Sequence, residues 1–140
     1  GKTIDAALTE ADTKGFKAYP LGVRLKGHMP TALEPIRSHN VAARVEGSDP
    51  ALKAETLLFT AHWDHLGVGR AVVGDSIYNG AADNATGCGL LLELARVWAA
   101  RSPRPKRSAL FLAVTAEEKG LLGSKYYAAH PLVPLGKTAL

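Results

Sequence analysis

Cysteine is nearly absent from this chain. Cys88 is the only one in 140 residues, so no intrachain disulfide can form and the redox compartment stays open. Long hydrophobic runs are missing as well. No apolar stretch approaches the roughly 20 residues needed to span a bilayer, which argues against a membrane span. The opening Gly1-Lys2-Thr3-Ile4-Asp5 has no signal-peptide core. An initiating Met is also lacking, so the chain is expected to be part of something longer. Surplus charge is small at +4, and much of it (Arg101, Arg104, Lys106, Arg107) sits in a Pro-interrupted connection. No aromatic residues are interleaved with these charges for stacking on bases, so a solvated loop and no nucleic-acid partner is the reading. What is present is ordinary globular material: 46% hydrophobic and 21% charged residues, in a chain long enough for one domain with a core.

Periodicity supplies the elements. Ile4, Ala7, Leu8 and Ala11 follow helical spacing between a capping Thr3 and a terminating Gly15. Tyr19, Leu21, Val23 and Leu25 alternate, predicting a strand within residues 17–26, and residues 40–45 predict a second. Leu57-Leu58-Phe59-Thr60-Ala61 is a continuous apolar run ending at His62, the pattern of a strand in the centre of a sheet. Residues 67–80 are Gly-rich and aperiodic, and read as a loop. Leu91, Leu94, Ala95 and Trp98 define a long helix ending before Pro103. Residues 109–115 predict another buried strand, and residues 121–129 a helix stopped by Pro131. Cys88 lies between Gly87 and Gly89 where the long helix begins, and reads as a small packing residue rather than a nucleophile. Strands alternating with helices make this an α/β protein with a largely parallel sheet.

Three polar clusters then fall at strand ends or in the loops after them, where open α/β sheets place their sites. In the first, His62 and Asp64 share a face if the strand continues, so the carboxylate could orient the imidazole towards a metal; a surface turn accounts for the pair equally well. Asp83, in Gly80-Ala81-Ala82-Asp83-Asn84-Ala85-Thr86-Gly87, reads by itself as a helix cap with Asn84 and Thr86. Glu117-Glu118 is harder to dismiss. Two adjacent carboxylates closing an apolar run need a cation or solvent to compensate them. A His, an Asp and a Glu are suitable ligands for a borderline-hard divalent metal, and the spare Glu points to metal-assisted hydrolysis. His65 stays ambiguous, while His28, His39 and His130 look like ordinary loop or terminal residues, and Asp75 and His130 are poor substitutes for a ligand.

The three segments together resemble the zinc exopeptidases of the M28 family, whose motifs read His-x-Asp, Gly-Ala-x-Asp-Asn-x-Ser/Thr-Gly and Glu-Glu-x-Gly-Leu-x-Gly-Ser. Order, flanking glycines and spacing all agree, with 21 residues from His62 to Asp83 and 35 from Asp83 to Glu118. The resemblance covers residues 38–130 and implies an α/β/α sandwich of the zinc-exopeptidase type acting on peptides with two zinc ions. In that frame His62 and Glu118 each bind one zinc, Asp83 bridges both, Asp64 orients His62, and Glu117 is the general base. The Asp83–Asn84 peptide bond is then expected to be cis, and the location extracellular or periplasmic.

Two further ligands of such a site, an Asp at the end of the next strand and a distant His, have no counterpart before Leu140. Residues 38–140 are accordingly expected to be a catalytic domain truncated at its C-terminal side, carrying a half-site, with an exposed sheet edge open to self-association. Residues 1–37 are expected to be a lead-in helix and strand returning from an inserted domain. Two rival readings remain at this point: a glutaminyl cyclase-like acyltransferase using one zinc, and a folded fragment without activity.

Overall fold

The computed structural model describes residues 2–20, 22, 24 and 26–139. They divide into two compact units, Gly1–Pro35 and Ile36–Leu140. In the first, α1 (Ile4–Ala11) starts where expected, with the Thr3 hydroxyl accepting a hydrogen bond from the Ala6 amide at 3.2 Å. None of its residues is buried, so it stands on local capping and an exposed Lys2–Glu10 ion pair and contributes no core. The described residues within 17–26 form no strand; Leu21, Val23 and Leu25, which carry much of the alternation, lie outside the described residues. A strand is held by its ladder, and among the described residues of this unit no partner strand exists.

The second unit is built on a four-stranded sheet in the order β1-β5-β2-β6, where β1 is Val41–Val45, β2 Thr56–His62, β5 Ser108–Val114 and β6 Thr138–Ala139. The β2–β5 and β2–β6 pairs are parallel and β1–β5 antiparallel, giving a mostly parallel sheet. Continuous apolar sequence explains the interior place of β5, whose successive side chains point to opposite faces. Ala109 and Phe111 face α2 (Thr86–Ala100), joining Ala61 and Leu91 in one cluster with Phe59 and Trp98 against it. Leu110, Leu112 and Val114 face α3 (Leu122–Ala129) and pack with Tyr127. Helices on both faces make three layers.

Between β2 and α2, residues expected as a loop form a hairpin of β3 (Gly67–Val72) and β4 (Asp75–Tyr78). Its two-residue turn, Val73-Gly74, has positive φ at both positions (51° and 87°), the twist that matches antiparallel strands. A β-branched residue in such a conformation is unusual, and Val73 stands where an Asn-Gly or Asp-Gly turn has its Asn or Asp, so only the Gly of that signature is present. The basic connection from residue 101 to 107 is exposed, with Arg107 paired to Glu55 at 2.6 Å.

Candidate metal centre

Strand register decides which loops meet. The pairing of His62 with Val114 sets the ends of β2 and β5 side by side, so residues 63–65 leave the sheet next to residues 116–118. Ala116 then adopts φ 51°, breaking the strand's alternation, and the chain turns back with the Leu121 amide donating to the Glu117 carbonyl at 2.8 Å. Freed from alternation, Glu117 reaches towards His62 and Glu118 towards His65.

His62 is buried. Its Nδ1 faces the main-chain carbonyl of Asp64 at 2.9 Å, so Nδ1 carries a proton and Nε2 is turned to Asp83 Oδ1, also at 2.9 Å. Glu117 Oε2 lies 4.0 Å from the same Nε2. Burial disfavours charge on this imidazole, but the hydrogen bonds to the Asp64 carbonyl and the Asp83 carboxylate, with the charges of Glu117 and Asp83, outweigh it and raise the His62 pKa above its ordinary value. The His62 ring and the Asp83 carboxylate thus form a hydrogen-bonded pair in which the protonated imidazole is favoured.

The Asp64 carboxylate does not hold the ring nitrogen, as continued strand geometry would require. It stands 4.0 Å from Nδ1, and its Oδ2 instead accepts from the Ala116 amide at 2.5 Å, tying the two strand ends together. The reason is that β2 ends at His62, and the chain bends enough for the carbonyl rather than the side chain to meet the ring. Asp64 Oδ1 is buried without a hydrogen-bond partner.

Asp83 is not the helix cap that an isolated reading allows. Asn84 takes that part, its Oδ1 accepting from the Gly87 amide at 3.0 Å, and a Cβ at Gly87 would overlap the Asn84 amide group. The Asp83–Asn84 peptide is cis, as the resemblance implies. The Asp83 carboxylate is left two-thirds exposed and aimed at the strand ends.

His65, ambiguous in the sequence, is brought into the cluster by the fold. One ligand atom from each of His65, Asp83 and Glu118 lies within 4.8 Å of the others. His65 Nδ1 sits 2.7 Å from Glu118 Oε1, yet the oxygen lies off the direction of the ring N–H and no hydrogen bond forms. The signal in the sequence was its position directly after Asp64, just past the strand end. Elsewhere, Asp75 caps the hairpin by accepting from the Ile77 amide, and His130 stacks on Tyr126 with ring centres 4.5 Å apart; neither belongs to the cluster. Cys88 is half-buried against the α2-side core, its thiol donating to the His62 carbonyl at 3.2 Å.

Imidazole nitrogen and carboxylate oxygen in this mixture, with the orphaned Asp64 Oδ1 and His65 Nδ1 buried beside them, fit zinc. The model of peptidase family M28 matches residues 40–140. The chain belongs to this family. Among its relatives, a probable zinc metalloprotease of Leptosphaeria maculans is 37% identical over 94 residues, covering 67% of this chain and 21% of that protein. One from Pyrenophora tritici-repentis is 38% identical over 95 residues, covering 67% and 18%. An aminopeptidase from Aneurinibacillus sp. strain AM-1 superposes with a TM-score of 0.54 at 34% identity, covering 66% of this M28 chain and 20% of that one. The chain thus spans about a fifth of the length of these relatives.

Proposed function

We propose that the protein is a zinc-dependent exopeptidase of the aminopeptidase type, using two ions and a Glu general base. The observation that carries this reading is the meeting of His62, Asp83, Glu117 and Glu118 where β2 and β5 end, with Glu117 the carboxylate left outside the His65–Asp83–Glu118 triangle. The names of the relatives support zinc and peptide-bond hydrolysis.

His62, Asp83 and Glu118 would hold the metal, with Asp83 placed between the two imidazoles. Zinc there would supply a Lewis acid for the scissile carbonyl and acidify the attacking water enough for it to lose a proton near neutral pH. Glu117, one-third exposed and free of a lysine or arginine partner among the described residues, accepts that proton at a carboxylate oxygen and returns one to the departing amine. Asp64 acts at a distance from the reaction: its carbonyl fixes the tautomer of His62 and its carboxylate holds the Ala116 amide, so the strand ends keep their spacing.

The test is a pair of variants of the complete enzyme, assayed on an aminoacyl-anilide and its N-acetylated counterpart, with zinc content measured alongside. Glu117→Gln should lower kcat by about 10²–10⁴-fold with zinc content unchanged, the range for loss of a general base. Glu118→Gln should lose zinc. If Glu117→Gln loses zinc as badly, the assignment of base and ligand fails. Cleavage of the blocked substrate as fast as the free one would overturn the aminopeptidase specificity, and conversion of a glutaminyl-anilide to pyroglutamyl-anilide with release of ammonia and the anilide bond intact would select the acyltransferase reading.

A further inference from the structure

We propose that His65 Nδ1 completes, with the carboxylates of Asp83 and Glu118, a three-ligand site for one divalent ion of the zinc class that residues 36–140 carry by themselves. The inference rests on the reading of this cluster as a zinc centre and adds a ligand to it.

The first argument is the state of the His65 ring. Its Nδ1 is shielded from solvent, makes no hydrogen bond, and stands 2.7 Å from a carboxylate oxygen. A lone pair facing a carboxylate at that distance is repulsive, and an N–H pointing elsewhere leaves a buried donor unsatisfied. A cation between the two groups removes both costs. The second argument is charge. Asp83, Glu117 and Glu118 converge here, and among the described residues their ion-pair partners are only His62 and His65. Two imidazoles cannot balance three carboxylates.

Distance is the third. Ligand atoms around a tetrahedral zinc, each at about 2.0–2.2 Å from the metal, lie roughly 3.3–3.6 Å apart. A triangle held within 4.8 Å needs only a modest closure, and Asp83, two-thirds exposed, is free to make it, while the His65–Glu118 contact has to open slightly. Position is the fourth. Gly80, with φ 66°, passes so close to His65 that a Cβ there would stand 2.9 Å from His65 Cβ and 2.8 Å from the Asp83 carbonyl oxygen. The glycine lets the imidazole lie against the loop that carries Asp83. With His65, an ion held by Asp83 and Glu118 would have three ligands from these residues and an open position, the arrangement of a catalytic zinc.

The experiment uses the 140-residue chain, with zinc affinity measured against a chromophoric chelator and the histidine rings followed by long-range ¹H–¹⁵N correlation. One zinc per chain is expected, with the His65 Nδ1 resonance shifting on zinc addition and His65→Ala weakening binding at least tenfold. Affinity alone does not decide, because loss of a residue that merely supports a ligand also costs about 10–100-fold. The Nδ1 resonance of the unsubstituted chain does, and it needs no variant to fold. If that resonance is unmoved by zinc while Glu118→Gln abolishes binding, His65 is not a ligand and the zinc reading stands without it. If the chain takes up no zinc, the inference is overturned; if the complete enzyme also binds none, the zinc reading falls with it.

Discussion

The two faces of β5 are packed differently, and each is continuous with one side of the metal cluster. Towards α2, Phe111 stacks on Phe59 with centroids 5.4 Å apart, and Trp98 meets both rings edge-on at 5.5 and 6.5 Å, so aromatic rings fill the layer. Towards α3, Leu112 and Val114 line a groove of about 390 Å³ that also takes in Leu58, Tyr127 and Leu135. The filled face anchors the helix that Asp83 precedes; the open face lies under the helix that follows Glu117 and Glu118. One side of the cluster therefore stands on a more closely filled layer, bordered by a groove of about 170 Å³, and the other on one with more room in it. The difference shows that site geometry at strand ends does not require both layers to be packed alike, since the β2–β5 ladder joins them.

Truncating each face is the strongest way to break this comparison. Phe111→Ala empties the filled layer and should destabilise by about 3–5 kcal/mol. Leu112→Ala, which widens a groove already open, should fall near the lower end of the usual range, about 2–3 kcal/mol. Urea unfolding of both variants measures the ordering, and an equal or larger loss for Leu112→Ala would show that the groove is closed in solution.

A smaller effect is expected at the loop leading into α2. Gly80→Ala places a side chain at φ 66° and against His65, so about 1–3 kcal/mol of backbone strain should appear together with weaker zinc binding. Unchanged zinc affinity, read by chelator competition, would detach His65 from the Asp83 loop. The smallest change belongs to the open face. Tyr127 Oη is buried with no hydrogen-bond partner, so Tyr127→Phe should leave stability within about 1 kcal/mol of the parent or raise it, because an unsatisfied hydroxyl is removed without loss of shape. A clear loss of stability in the same urea titration would mean that the groove holds a partner for the hydroxyl.

Much of this architecture was readable before folding. Apolar runs 57–61 and 109–115 predicted interior strands, i, i+3, i+4, i+7 spacing predicted α2, and the motifs around His62, Asp83 and Glu117-Glu118 pointed to zinc-peptidase chemistry, because burial periodicity and ligand chemistry are properties of residue type and local order. The β3–β4 hairpin escaped, since Val73 takes the turn position where Asn or Asp is usual. So did the hold on His62, which passed from the Asp64 carboxylate to its carbonyl, and the place of His65 beside Glu118. Both depend on where β2 ends relative to β5. That is a matter of register between two strands whose paired residues, such as Leu58 with Leu110 and Phe59 with Phe111, are separated by 52 positions in sequence.

 The same offset holds along the whole ladder, from Thr56 with Ser108 to His62 with Val114. Residue types and local spacing named the ligands, while only the register of this long-range ladder, chosen by how the two faces pack, decided which imidazole meets which carboxylate.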